Sequence, residues 1–478
     1  MALTTTPGGK ALRSNQFRSP TPRTLTATVL AGSALLLIAV PAVAQDSQWW
    51  TNQYGNRARL LGGAVIGSAR DLSAVYYNPG GLAIVDQPDA LLTGFVFELD
   101  NLKYSDVLVE GTEFSSTRFD AVAGLIAGQI PFGFLGETKL AYSYLTRHNL
   151  EYRFNGGGTI PGDSIPELEG IASASAAVSY ETRLRETWGG LTWAAPLHER
   201  LGLGISTFVA IRSQRMRYGA ELSTVADTSV ASLLSQRSYD YYNWRLLWKV
   251  GFATSFDRWN VGATITTPSL RLFGSGDIQY QDIAILPDLE SVTTGFQDDI
   301  PSRYTSSWAI GAGGEYVGDG WKAHVAAEWF DSMDITILDG QPFPSRTDST
   351  RVVDPDITNV MRGLVNVALG FERKFSERTT GYLTGFTDFT GSVRGDLSVT
   401  TSTPWDLWTV GAGASFTVGR SDFTVGLTYK FGGQDDLRGF DLIPDDQRDE
   451  QLLTANTRGS FWRLGLVLGF NLAFAPDM

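Results

Sequence analysis

The sequence predicts an all-β fold: a transmembrane antiparallel β-barrel of about fourteen strands, with an N-terminal plug, or hatch, inside its lumen. Three observations predict it. The chain opens with an export signal, most of the remainder alternates apolar and polar residues over long runs, and short turns alternate with long polar connections. The composition fits a barrel that faces lipid, because 478 residues include 26 Phe, 13 Trp and 52 Gly but no Cys. Without cysteine there is no disulfide framework.

Residues 1–44 are predicted to be a signal peptide. Four basic residues precede the apolar run 25–40, namely Lys10, Arg13, Arg18 and Arg23. Ala42-Val43-Ala44 then fits a small-residue cleavage site. A membrane anchor is the alternative, but the apolar run is short for a spanning helix. Cleavage removes four positive charges and no negative ones, so the formal net charge moves from -13 to -17. Such an acidic chain is a poor nucleic-acid binder.

Strand periodicity is clearest in residues 462–474. One face carries Trp462, Leu464, Leu466, Leu468, Phe470, Leu472 and Phe474, and the other carries Arg463, Gly465, Gly469 and Asn471. A period of two indicates a β-strand. A large soluble β-protein is the alternative architecture, but its strands are usually only five or six residues long. The runs here are longer and have aromatic residues near their ends, as in the girdles of outer-membrane barrels: Trp244, Trp259, Trp321, Trp408 and Trp462.

The predicted barrel occupies residues 89–475 and is followed by a short extension, 476–478. Candidate strands are 89–104, 117–131, 137–153, 173–196, 200–218, 239–256, 258–279, 303–317, 320–335, 361–375, 378–394, 405–419, 421–433 and 460–474. Long polar loops are expected near 155–170, 222–238, 281–300, 337–357 and 433–458. Short turns on one side and long loops on the other are typical of outer-membrane barrels. A barrel of this size has a lumen too wide for side chains alone to fill.

Residues 45–88 are predicted to form the hatch, because they are rich in Gly and Ala and do not alternate like the strands. The segment ends in "ARDLSAVYYNPGGLAIV", in which Asn78-Pro79-Gly80-Gly81 predicts a tight turn between the hatch and the first strand. Most such triplets are simply turns. Here the position directly after the signal and directly before the first strand gives the motif more weight.

The stretch "GGAVIGSARDLSAVYYNPGGLA" resembles the hatch of the long-chain fatty-acid transporter (FadL) family, in which a small-residue segment leads to Asn-Pro-Ala-x-Leu. The matching residues are Asp71, Ala74, Asn78, Pro79, Gly80 and Leu82. Gly80 stands where the family pattern has Ala. The resemblance implies passive uptake of hydrophobic compounds such as long-chain fatty acids or hydrocarbons across the outer membrane of a Gram-negative-type bacterium. It also implies substrate binding in the barrel and release past the hatch through a side opening.

Charged and aromatic side chains with inward parity are the candidate substrate contacts. They are Arg212, Arg245, Lys249, Lys322, Glu328, Lys430, Arg463, Phe208 and Phe330. One or two of the cations would hold a carboxylate, and the aromatic residues would hold an apolar tail. The alternative explanation is that any charge on a strand must face the lumen, because a charge facing lipid costs up to a few kcal/mol.

No enzyme motif, cofactor or metal site is predicted. The chain lacks G-x-S-x-G, P-loop and H-E-x-x-H patterns. The second functional hypothesis is a non-transport barrel that acts as a partner or shuttle for secreted or surface proteins; it would have a filled lumen and a partner surface. The third is an outer-membrane lipid hydrolase, which needs a Ser and a His, such as His324, within hydrogen-bond reach.

The expected partners are hydrophobic small molecules, outer-membrane lipid and lipopolysaccharide, and the barrel assembly machinery during biogenesis. That machinery would recognise a terminal aromatic, here Phe474. A monomer without nucleic-acid partners is expected.

Overall fold

The computed structural model describes residues 48–84, 91–92, 95–107, 111–131, 136–161, 173–226, 229–286, 289–347, 352–392, 403–419, 421–437 and 457–472. The predicted signal peptide, Phe474 and the extension 476–478 lie outside these ranges, as do both ends of the predicted hatch. No helix in the described part of the chain is long and apolar enough to cross a membrane.

Three short helices precede the sheet: α1 (Asn56–Leu60), α2 (Ala74–Tyr77) and α3 (Pro79–Ala83). The first strands are β1 (Leu91–Leu92), β2 (Phe95–Ser105), β3 (Glu113–Ala123), β4 (Leu125–Ile130), β5 (Lys139–Pro161), β6 (Ser173–His198), β7 (Leu201–Ala226) and β8 (Ser229–Phe256). The middle strands are β9 (Trp259–Thr266), β10 (Leu270–Phe273), β11 (Ser275–Leu286), β12 (Leu289–Pro301), β13 (Ala309–Val317), β14 (Trp321–Phe330), β15 (Met333–Leu338), β16 (Phe343–Pro344), β17 (Val352–Val353) and β18 (Ile357–Met361). The last are β19 (Leu364–Ser376), β20 (Thr379–Asp388), β21 (Leu407–Val418), β22 (Ser421–Leu437) and β23 (Thr457–Leu472).

The main sheet is a closed antiparallel barrel. Nineteen of the described strands form it. Some crossings of the wall are divided into two or three strands, with five such interruptions in all, so the nineteen strands make fourteen crossings of the wall, which we call passes. The ring closes because β23 pairs with β22 on one side and with β2 on the other, from Val96↔Val467 to Ser105↔Arg458. The predicted barrel of about fourteen strands is therefore confirmed.

The alternation of the sequence separates the two faces of the wall. On β23, Arg463 is buried on the inner face while Leu464 and Leu468 are exposed on the outer face. The same pattern runs along β7, where Phe208, Ala210 and Arg212 are buried. The inner face and residues 48–84 together form three buried apolar clusters, one at the end with the long connections and two around the hatch residues.

Two of the five predicted long loops are wrong, because the ladders continue through them. Strands β7 and β8 pair up to Ala226↔Ser229, inside the predicted loop 222–238. Strands β11 and β12 pair up to Leu286↔Leu289, inside the predicted loop 281–300. Both faces of these extensions are rich in polar or small residues, so the apolar alternation fades although the backbone stays extended. The region 337–357 contains two small separate ladders, β15 with β18 and β16 with β17.

Some predicted strands are also interrupted, and two of these cases adjoin the site described below. The predicted strand 258–279 divides into β9, β10 and β11, and the predicted strand 303–317 begins only at Ala309. Small and polar residues, with Pro268 and Gly274, occupy these gaps.

Candidate functional site

Asn78 joins two helices of the hatch rather than forming a tight turn. It is the C-cap of α2 and the N-cap of α3, and Pro79 occupies the first position of α3. Proline is favoured there because that position has no intrahelical use for an N–H. The Asn78 Oδ1 accepts from the Gly80 N–H at 3.1 Å. The predicted turn at 78–81 is therefore wrong, since the chain continues helically through both glycines.

The Asn78 side chain also fixes the hatch to the barrel wall. Its Nδ2 donates to the Ile66 carbonyl within the hatch at 2.7 Å and to the Phe252 carbonyl of β8 at 2.9 Å. The residue is 0% exposed. The side-chain amide thus donates two hydrogen bonds and accepts one, all with main-chain groups, as a buried amide requires.

Residues 78–80 pack closely against glycines of the barrel wall. We call Gly202 and Gly204 of β7, Gly251 of β8 and Gly262 of β9 the glycine seat. A Cβ on Gly80 would lie 2.6 Å from the Gly251 oxygen and 2.7 Å from the Gly202 oxygen. A Cβ on Gly251 would lie 2.6 Å from the Pro79 Cδ, and one on Gly262 would meet the Asn78 amide. These positions need glycine because two backbones approach closely, and only glycine leaves that space.

An ionic anchor holds the other side of the hatch. Arg57 of α1 pairs with Glu315 of β13 at 3.0 Å and with Glu372 of β19 at 2.9 Å. Burial alone would lower the pKa of Arg57, but the two carboxylates outweigh it and raise the pKa above its usual value. The guanidinium therefore stays charged and the anchor intact. Lys322, a predicted lumen residue, lies beside the same carboxylates, at 3.4 Å from Glu372.

Ser68 and His324 meet the geometric test for a hydrolase only in part. The Ser68 Oγ lies 3.2 Å from the His324 Nδ1. The nearest carboxylate to the other ring nitrogen, that of Glu372, is 3.8 Å away, beyond hydrogen-bond distance. Ser68 is 2% exposed and lines neither of the two cavities described below. The pair belongs to the anchor.

A small cavity of about 40 Å³ lies in the lumen beside residues 48–84. Its lining is mainly aromatic and charged: Trp49, Tyr76, Arg147, His148, Glu186, Trp188, Arg245, Leu247, Lys249, Thr266, Tyr304, Ser306, Ser307, Ala309, Glu328 and Phe330. Trp49 stacks on Phe330 with ring centres 5.0 Å apart. Of the predicted contacts, the structure brings four together here, namely Arg245, Lys249, Glu328 and Phe330.

Most charges at this cavity are already paired. Glu186 accepts from Arg212 at 3.1 Å and forms an ion pair with Arg245 at 2.8 Å. Lys249 lies 3.2 Å from Glu328, which also accepts from the Trp50 indole N–H at 2.8 Å. The desolvation cost of burying these charges is offset because each charge has a partner of opposite sign.

Arg147 differs from them. It is 3% exposed, and no carboxylate of the described residues lies within salt-bridge distance of its guanidinium. One terminal nitrogen donates to the Trp49 carbonyl, while the other, Nη1, is buried without a hydrogen-bond partner in the described part of the chain. The guanidinium carbon lies 5.6 Å from the Trp188 ring centre. The cavity therefore contains a cationic donor flanked by aromatic rings.

The remaining predicted residues lie elsewhere. Lys430 and Arg463 line a second, more polar cavity of about 40 Å³ on another side of residues 48–84. Lys430 is paired with Asp388 at 2.9 Å and Arg463 with Asp100 at 2.8 Å. Phe208 packs on Trp188 beneath the hatch. Leu82 is buried in the hatch, and Asp71 accepts from the Ser73 N–H at 2.8 Å.

The sequence analysis missed Arg147, Glu186 and the aromatic residues Trp49, Tyr76, Trp188 and Tyr304. Arg147 escaped because the register of β5 shifts between Thr146 and His148. Such a bulge turns two successive side chains inward and defeats a strict period of two. Glu186 could have been found, since its parity on β6 matches that of Trp188.

The barrel wall is interrupted directly outside the cavity. Pairing between the seventh and eighth passes stops at Thr266↔Ala309 and resumes at Ser275↔Pro301. In the gap, Ser269 and Ser306 bond reciprocally, each hydroxyl accepting from the other residue's N–H at 3.1 and 2.8 Å. The cavity is lined from this side by Thr266, Tyr304, Ser306, Ser307 and Ala309. The outer rim of the gap is apolar and exposed: Leu270, Leu272, Phe273, Trp308 and Ile310.

A closed barrel of fourteen passes encloses the buried residues 48–84, and solved structures of β-barrel channels match this chain. The crystal structure of a Pseudomonas aeruginosa FadL homologue aligns with a TM-score of 0.55 at 10% identity, covering 88% of this chain and 98% of that one. The P. putida toluene transporter TodX aligns with a TM-score of 0.56 at 12% identity, covering 88% and 99%. The CymD monoaromatic hydrocarbon channel aligns with a TM-score of 0.51 at 10% identity, covering 89% and 99%.

These similarities establish the fold. The chain has the fold of FadL-type channels over most of its length, so the resemblance drawn from the hatch motif is confirmed at that level. No protein-family model and no curated protein matches the chain.

Proposed function

We propose that this chain is an outer-membrane channel for passive uptake of hydrophobic compounds. In this proposal residues 1–44 are the signal peptide, 45–88 the hatch and 89–475 the transmembrane barrel. The support is a barrel whose outer face is apolar, a lumen cavity with aromatic walls, and a fold shared with a toluene transporter and a monoaromatic hydrocarbon channel. The same evidence favours a channel over an enzyme.

The cavity supports a particular kind of substrate, one with an apolar body and a single carboxylate. Arg147 carries this inference, because its Nη1 is buried without a partner among the described residues. A buried unpaired donor costs about 1 to 3 kcal/mol, and more when it is charged. A carboxylate would satisfy it in a charge-assisted bond. Tyr76, Trp188 and Phe330 would pack on the apolar body.

The test is uptake of two labelled probes, a long-chain fatty acid and a hydrocarbon of similar length, by a host that lacks its own transporter. Expression of the parent chain should raise uptake of both. Arg147→Gln should reduce fatty-acid uptake about tenfold, since a charge-assisted bond is worth about 1.5 to 3 kcal/mol. Hydrocarbon uptake should change little.

Lys430→Gln is the matched control, because Lys430 is also a buried lumen cation but lies at the other cavity. An equal loss of both probes in Arg147→Gln would contradict the carboxylate assignment. No uptake of either probe by folded parent protein would contradict the channel itself.

The release route we propose is the gap between the seventh and eighth passes. The cavity reaches this gap from inside, and its outer rim is apolar. A hydrophobic molecule moving from the cavity through the gap would enter lipid without crossing water, which lowers the cost of transfer because its apolar surface never becomes hydrated.

A partner or shuttle barrel is the second candidate, and one observation favours it. The end of the lumen with the long connections is filled by a large buried cluster that includes Tyr104, Phe154, Tyr241 and Trp405. A filled lumen is what that hypothesis expects. The uptake experiment separates the two, since a partner barrel would transport neither probe.

A further inference from the structure

The outer face of three adjacent strands carries five arginines just beyond the apolar band. We call Arg153 of β5, Arg183 and Arg185 of β6, and Arg215 and Arg217 of β7 the arginine belt. The pairing places them in neighbouring positions: Arg185 faces Ser213, Arg183 faces both Glu151 and Arg215, and Glu181 faces both Arg153 and Arg217. Neighbouring strands are about 4.8 Å apart and successive outward residues about 7 Å apart, so the belt is compact.

The height of the arginine belt on the wall is defined by the residues beneath it. In the next row toward the short turns, Ile211 of β7 faces Trp244 of β8, and Val209 then faces Leu246. Tyr242, 47% exposed, faces Ser213 at the lower edge of the arginine belt. An apolar band that ends in aromatic residues marks a membrane interface. The arginine belt therefore lies at headgroup level, on the side of the long connections.

The arginine belt has more positive than negative charge. Arg153 pairs with Glu181 at 3.0 Å, Arg183 with Glu151 at 2.7 Å, and Arg215 with Asp240 at 2.6 Å. Arg185 and Arg217 are exposed and have no carboxylate within salt-bridge distance in the described part of the chain. Two positive charges are thus left over.

The facing pair of Arg183 and Arg215 also favours an anion site. Like charges directly opposite each other on a sheet are destabilising. An anion bound over the pair would relieve this repulsion. Guanidinium groups fit phosphate with two parallel hydrogen bonds, so phosphate suits a surface of arginines better than one of lysines.

We propose that the arginine belt binds the phosphate groups of lipopolysaccharide in the outer leaflet. The proposal rests on the outer-membrane placement in the proposed function, which puts the long connections outside the cell. It does not rest on transport, and the binding measurement below needs no substrate.

The test measures binding of lipopolysaccharide to the purified, folded barrel in detergent. The parent chain is compared with the double variant Arg185→Gln and Arg217→Gln, which removes the two arginines without carboxylate partners. We expect affinity to fall about tenfold, because two charge contacts with phosphate are lost. The charge-conserving pair Arg185→Lys and Arg217→Lys should keep most of the binding.

The matched control also removes two positive charges, but at the opposite end of the barrel. Arg200 and Arg378 lie in the short turns after β6 and β19 and are exposed. Arg200→Gln with Arg378→Gln should leave affinity unchanged. Dephosphorylated lipopolysaccharide should bind the parent weakly, and millimolar inorganic phosphate should compete only weakly.

Three results would overturn the proposal. They are equal affinity of the parent for phosphorylated and dephosphorylated lipopolysaccharide, an equal loss in the control pair, and full displacement by free phosphate. The last would make the arginine belt a general anion site. Heat-modifiable migration on a gel verifies that each variant is folded, and an unchanged uptake assay separates this outcome from a failure of the channel proposal.

Discussion

At the scale of single residues, small size and hydrogen-bonding capacity matter more here than turn formation. The two glycines after Asn78 have helical neighbours, and their value lies in the absence of a side chain where the hatch meets the wall. Tyr77 shows the same dependence on close packing. Burial raises the pKa of its hydroxyl, which therefore stays protonated and donates to Gln53 at 2.7 Å.

Asn78→Ala should loosen the hatch while the barrel stays folded. The change leaves the Ile66 and Phe252 carbonyls without this donor, at about 1 to 3 kcal/mol for each buried group. The wall keeps its closed ladder. Single-channel conductance should rise above that of the parent, and heat-modifiable migration should be unchanged.

Asn78→Asp is the informative control. It keeps an oxygen to accept from the Gly80 N–H but loses both donors, so an increase equal to that of Asn78→Ala would assign the effect to the two bonds donated to the Ile66 and Phe252 carbonyls. If Asn78→Ala conducts and transports like the parent, the segment is only a linker and the weight placed on it is wrong.

At the scale of elements, the gap beside the cavity is the place where the wall is weakest. Its two sides are joined by the reciprocal bonds of Ser269 and Ser306 instead of a backbone ladder. Because the chain has no cysteine, Ser269→Cys with Ser306→Cys introduces a single possible disulfide. If substrates leave through this gap, the oxidised form should take up hydrophobic probes several-fold more slowly, and reduction should restore the rate.

A second disulfide, placed between two strands with a continuous ladder, tests whether any cross-link that stiffens the barrel would slow uptake. Ala412 of β21 faces Leu427 of β22, and both point outward. Ala412→Cys with Leu427→Cys should leave uptake unchanged when oxidised. Equal rates for the oxidised and reduced forms of the Ser269/Ser306 variant would rule out this gap as the route.

The sequence predicts such elements well where burial on one side imposes alternation. Around Arg463 and Leu464 the period of two identifies both the strand and its faces. It fails at Arg147, where a bulge shifts parity, and near the end of the β7–β8 ladder, where polar and small residues replace the apolar alternation. The cavity escapes prediction for a related reason, since Trp49 and Tyr304 come from irregular segments that no periodicity describes.

At the scale of the whole molecule, the outward residues form one apolar band around the barrel. Leu427, 54% exposed, lies in it about midway along β22. Leu427→Arg should lower the free energy of unfolding in lipid vesicles by about 2 to 4 kcal/mol, because an arginine near the bilayer midplane is costly. Urea titration of the folded fraction measures this.

Gln236→Arg is the control for that charge. Gln236 is exposed on the outer face of β8 beyond the arginine belt, where the proposal puts it in water. It should be neutral within about 0.5 kcal/mol. Equal effects of the two substitutions would contradict the membrane placement of the barrel.

The glycine seat also constrains the order in which the molecule is assembled. Asn78 and Gly80 are made before any of the strands, yet the surface that receives them is built from β7, β8 and β9, more than a hundred residues later in the chain. Contacts so distant in sequence form late, because the intervening chain must first be ordered. Residues near Asn78, synthesised before the strands that receive them, are therefore among the last to reach their final place.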